Sequence, residues 1–181
     1  MPDRHRSASV DRVVCETGNL DMLRHRTLTN VRMVLAAALF SIAVPDLARA
    51  VCQINLSTLN FGNYDPLESS PVDSVGDLTY FCSQPVPIVT ITIDRSGAGN
   101  ALNRRLVNHS GQDADALLYN IYLDAARTAI WGDGTRGSQI WSAPNPAVRT
   151  RINVPIYGRI PAGQNVGVGG YGDTLTITIN Y

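Results

Sequence analysis

The chain has 181 residues, with 15 Arg and no Lys against 15 Asp plus Glu, so its formal charge is zero. No basic excess marks it for nucleic acid, and the length suits one domain with an appendage. A hydrophobic content of 44% with 17% charged residues excludes a disordered chain, and the apolar residues are too evenly spread for a multi-span membrane protein.

Residues 1–21 hold Asp3, Asp11, Glu16 and Asp21 and a lone Cys15. That composition is a poor start for an export signal, so the expected start is Met22, with residues 1–21 untranslated or removed. Arg24, His25, Arg26 and Arg32 then precede the uncharged run Val34 to Val44. The run is too short for a bilayer core that needs about 20 apolar residues, and it has the length of a signal-peptide core. Pro45 breaks it, and Ala48-Arg49-Ala50 supplies small residues where signal peptidase reads them. Residues 22–50 are therefore expected to be a signal peptide cut after Ala50, with no stable membrane insertion afterwards. The mature domain would be residues 51–181.

This mature segment carries 8 Arg and 10 Asp plus Glu, a surface unsuited to polyanions. Cys52 and Cys82 are an even pair in an oxidising compartment and read as one disulfide. Closing a loop of about 30 residues would stabilise the fold by roughly 3 to 4 kcal/mol. A redox or metal pair would need CxxC-type spacing or further ligands, and His109 is the sole imidazole in this segment.

Period-two alternation dominates, the mark of half-buried strands. Ile54 and Leu56 begin it, followed by Leu78 and Tyr80, by Val89, Ile91 and Ile93, and by Leu117, Tyr119, Ile121 and Leu123. The run from Thr174 to Tyr181 alternates without error, with Leu175, Ile177, Ile179 and Tyr181 on one face. Turn clusters such as Asp65-Pro66, Gly132-Asp133-Gly134 and Pro144-Asn145-Pro146 separate the runs. The expectation is an all-β antiparallel sandwich of seven or eight strands, with at most a short helical turn near residues 124–128.

The search for chemistry finds little. His109 lies in the turn composition Asn108-His109-Ser110-Gly111, and Asp113 and Asp115 sit in a polar loop with nothing apolar nearby to raise a pKa. Gly132-Asp133-Gly134 is too short for a calcium loop, and the glycines of residues 167–172 precede a strand rather than open a helix. Trp131, Trp141 and Tyr122 suit a sugar platform, but aromatics in a sandwich more often build the core. No nucleophile, base and orienting group assemble, so the chain is read as a non-enzyme with no cofactor and no metal.

Several ordered motifs carry a family resemblance across nearly the whole mature segment. They are Leu59-Asn60-Phe61-Gly62-Asn63-Tyr64-Asp65-Pro66, Leu78 to Cys82, Asn103-Arg104-Arg105-Leu106, Leu118 to Arg127, Trp131-Gly132-Asp133-Gly134, Pro155 to Gln164 and Tyr171-Gly172-Asp173-Thr174. In this order they resemble the spore coat protein U domain family, which includes subunits of archaic chaperone-usher pili. The resemblance implies an immunoglobulin-like sandwich lacking its last strand. It also implies passage through the periplasm to the cell surface or coat, or secretion, with a periplasmic chaperone and an outer-membrane usher as partners. A donor strand from a neighbouring pilin subunit would complete the fold.

The strand pattern ending at residue 181 agrees, since an uncovered apolar edge is a template for another chain. The expected acceptor groove is lined by Ile54 and Leu56 on the first strand and by Leu175, Ile177, Ile179 and Tyr181 on the last. Cleavage after Ala50 would leave only Val51 before Cys52, and one residue at about 3.3 Å cannot fill a groove. The subunit would then accept a strand without giving one, as a tip or chain terminator does. The alternative function is a tip adhesin or secreted surface-binding module. Intact mass of the exported protein, with and without reduction and alkylation, is expected to give a start at Val51 and a two-proton gain on reduction. A start well upstream would make it an ordinary strand-exchanging subunit.

Overall fold

The computed structural model describes residues 7–18, 51–94, 100–109 and 116–181, and among them there is no helix. Ten strands follow in chain order. They are β1 (Ser7–Gly18), β2 (Cys52–Leu56), β3 (Asn60–Asn63), β4 (Val72–Cys82), β5 (Ile88–Ile93), β6 (Arg104–Asn108), β7 (Ala116–Tyr122), β8 (Trp141–Pro144), β9 (Arg151–Ile160) and β10 (Gly170–Asn180). The expected signal segment, with Ala48 and Ala50, lies outside the described residues, as do Asp113 and Asp115.

Two layers share one apolar core. One layer runs β2-β4-β9-β7, and the other places β10 between β1 and β5, with β3 outside β1 and β8 outside β5. The layers are joined by β7, whose residues 116–119 pair with β6 and whose residues 120–122 pair with β9. The chain also changes layer between β2 and β3. Ser57 anchors that crossing, its amide bonding the Asp77 carbonyl at 2.8 Å and its hydroxyl accepting the Asp77 amide at 2.7 Å. Leu59 and Phe61 then turn into the core, 3% and 5% exposed.

Alternation in sequence becomes alternation in burial. On β10, Leu175, Ile177 and Ile179 are buried while Thr176 and Thr178 between them are partly open. Val89, Ile91 and Ile93 do the same on β5, and Leu78 and Tyr80 on β4. Cys52 and Cys82 are directly opposed across β2 and β4 and form the expected disulfide. The same two strands continue as a ladder through Leu56 and Leu78.

Three features depart from the sequence expectation. Residues 124–128 form a turn instead of a helical turn. The Asp124 carboxylate there accepts the amides of Thr128 and Ala129, and Arg127 takes a positive φ of 59°. Nine of the described strands, β2 to β10, fall within residues 51–181 against the seven or eight expected; β3 and β8, four residues each, are too short to show an alternation, whereas β9 alternates, with Val154, Ile156 and Ile160 buried along it. Pro155 sits within β9, and this is tolerated because β7 pairs with β9 only at residues 157–159, leaving no partner that needs the missing N–H. Finally, the strands pair antiparallel throughout except β1 and β10, which run parallel. The edge of β10 expected to be free is therefore covered, by the chain's own residues 7–18.

Close packing between the layers requires glycine at position 158. A Cβ at Gly158 on β9 would lie 2.7 Å from Phe61 Cζ and 2.8 Å from Leu59 Cδ2. Phe61 is also held edge-on to Tyr119, ring centroids 5.8 Å apart, so it has little freedom to retreat. Gly158→Ala is expected to destabilise the domain by about 1 to 3 kcal/mol through overpacking, read as a lower urea midpoint.

A candidate strand-accepting slot

The slot lies between β3 and β10, and residues 7–18 occupy it. Its long wall is β10, in register with β1 from Ser7 opposite Gly170 to Gly18 opposite Asn180. Its short wall is β3, where Ser7, Ala8 and Ser9 oppose Asn63, Gly62 and Asn60. The register slips there between Ala8 and Ser9. Gly62 makes this slip feasible with a φ of +70°, a backbone state that other residues seldom adopt, and its amide bonds Asn60 Oδ1 at 2.8 Å. A second slip skips Asp11 beside Asp173 and Thr174 of β10.

The floor of the slot is apolar where β10 carries Leu175, Ile177 and Ile179, and polar where it carries Asp173. Asp173 is 8% exposed. Its Oδ2 accepts the Tyr119 hydroxyl at 2.7 Å, and its Oδ1 accepts the Thr174 amide at 2.8 Å. Burial and the adjacent carboxylate both push the Tyr119 hydroxyl far above the usual phenol range, so it stays a donor at any physiological pH.

Behind this pair lies Arg104, fully buried on β6. Its guanidinium donates to the carbonyls of Ala101 at 3.0 Å, Ile93 at 3.0 Å and Trp131 at 2.8 Å, and to Asn120 Oδ1 at 2.7 Å. Burial lowers its pKa from the ordinary value, against the raising influence of Tyr119 and Asp173. The cation thus ties together the end of β5, the turn before β6, the layer-changing point of β7 and the loop at Trp131.

Of the six residues expected to line the groove, Leu175, Ile177 and Ile179 lie on the long wall, and Tyr181 follows it, half-buried. Ile54 and Leu56 lie elsewhere. They sit on β2, opposite Tyr80 and Leu78, and pack half-buried on the common core from the other layer. The wall on that side is β3, because the chain has already crossed between layers by residue 60. Its signal in the sequence is the motif Asn60-Phe61-Gly62-Asn63, an aromatic anchor beside a glycine, too short to register as alternation.

The remaining candidates scatter. Trp131 is fully buried, its indole N–H donating to the Ile91 carbonyl at 2.9 Å, which removes it from any surface platform. Trp141 is half-buried against Tyr80 at 5.4 Å, and Tyr122 is half-buried on β7. His109 is exposed just after β6. Among the described residues, no three His, Cys, Asp or Glu side chains are grouped as a metal site would need. Tyr119→Phe removes the donor to a buried carboxylate and is expected to cost about 1 to 3 kcal/mol of stability in urea denaturation.

Comparison with known proteins places this geometry. The family model described as the Spore Coat Protein U domain matches residues 37–178, which takes in β2 through nearly all of β10 and leaves β1 upstream. "Protein U" of Myxococcus xanthus is 31% identical over 134 residues, covering 68% of this chain and 72% of that protein. A match over most of the chain, with the β-sandwich and the Cys52–Cys82 bond in place, assigns a surface or coat structural protein. The chain belongs to the spore coat protein U domain family.

Proposed function

We propose that the protein is an exported structural subunit of a surface fibre or coat, assembled by donor-strand complementation at the β3–β10 slot. The observation that carries this reading is the slot itself. Among the described residues, the strands of 51–181 leave β10 with one side unpaired by any of their own number, and the partner seen there is drawn from residues upstream of the expected cleavage point. An unpaired edge with Leu175, Ile177 and Ile179 on its inward face recruits another strand through main-chain hydrogen bonds and buried side chains.

In transit, a periplasmic chaperone would supply that strand, and an outer-membrane usher would exchange it for one from a neighbouring subunit. A chain starting at Val51 has no extension to donate, which suits a tip or terminating position. The role in this reading is structural and not catalytic, and it is supported by the engagement of the Asp173 carboxylate with the Tyr119 hydroxyl and the Thr174 amide. For the adhesin alternative, the burial of Trp131 leaves the half-buried Trp141 and Tyr122 as the aromatic side chains a surface platform would use.

Hydrogen exchange on the exported protein tests the proposal. The expected result is a chain in an assembly larger than a monomer, with the β10 amides that face the slot protected. A monomer in which those amides exchange as freely as a loop would overturn it.

A further inference from the structure

We propose that residues 7–18 close the slot in cis, so that the uncut chain is self-complemented and cannot take a strand from another subunit. The inference rests on the strand-accepting reading of the slot and adds to it an internal occupant. Three observations support that occupant. First, β1 satisfies both walls at once, parallel to β10 along its whole length and antiparallel to β3 at its start. Second, its two register slips fall where the slot is irregular, one at Gly62 with its positive φ and the other beside the buried Asp173. Third, β1 lies upstream of the residues that match the family, so it is an addition to the shared domain.

The tether decides between cis and trans. Residues 19–51 join β1 to β2 covalently, and tethering of this kind sets an effective concentration near the segment's own slot on the order of a millimolar. At micromolar protein, another subunit's strand competes at a large disadvantage. Loss of the segment, by cleavage after Ala50 or by synthesis from Met22, leaves the slot open and the subunit ready to assemble. In a chain that is made with them, the N-terminal residues act as a plug that cleavage after Ala50 removes.

The full chain carrying Ile177→Cys tests this, because the register sets Cys15 opposite residue 177. Mild oxidation at micromolar concentration is expected to join Cys15 to the introduced cysteine within monomers, found by peptide mapping, with much less bonding in a Thr178→Cys control. Cross-linked dimers would mean exchange between chains, and a free Cys15 would mean no insertion. Either result overturns the proposal.

Because residue 177 is in the core, a second measurement uses the unaltered β10. In chains carrying Val13→Pro or Val14→Pro, one of two consecutive N–H groups that could face β10 is lost. At least one variant is expected to speed exchange of the slot-facing β10 amides by about tenfold or more. Unchanged protection in both variants overturns the plug. If the plug fails while the exported assembly still protects β10, the strand-accepting reading stands alone; if the exported protein is an unprotected monomer, that reading fails too.

Discussion

The edge of β10 is the constraint on which the rest of this structure depends. On one side it is secured by β5, from the Ile177–Ile93 pair to Asn180–Thr90, and by β6 at Tyr171 and Gly172. Its other side is covered by β1, which β3 in turn borders for only a few residues. A strand with buried Leu175, Ile177 and Ile179 on one face cannot leave that edge open without exposing both backbone donors and the rim of the core. With β1 in that place the edge of β10 is paired on both sides.

The irregular half of the molecule is held by a different interaction. Arg104 directs its guanidinium to backbone carbonyls and the Asn120 amide in place of a carboxylate partner. A buried cation of this kind is stable only while every acceptor stays in place, so it enforces the relative positions of four separate segments. Asn120 sits where β7 leaves one layer for the other, and its amide nitrogen also donates to the Leu102 carbonyl at 2.9 Å. The Tyr119–Asp173 pair follows one residue away, linking this polar interior to the slot. Core order and slot shape are therefore mechanically connected through β7.

Much of this is legible in the order of residues. Leu175, Ile177 and Ile179 announce an inward face because period-two alternation admits one burial assignment per register, and the even cysteine pair announces its own partner. The elements that escape such reading share a cause. In β3, the four residues Asn60–Asn63 contain a single buried side chain, Phe61, and in β8 the pattern is half-buried and half-exposed with no fully buried residue. Ile54 and Leu56 resemble groove residues because they alternate, yet alternation reports only that a face is inward, never which layer supplies it. A crossing at Ser57 to Leu59 decides the layer.

The amino-acid sequence by itself determined the β class, the inward faces, the disulfide and the family, because each depends on residue type at short spacing or on ordered motifs. Only the tertiary structure decided that β3 borders the slot, that Trp131 and Arg104 are interior, and that residues 7–18 lie parallel to β10. Those outcomes depend on which strands become neighbours after the chain has crossed between layers. Strand pairing is a non-local choice, set by the fit of whole edges and by the closing of buried polar groups, and no window of local sequence contains both partners.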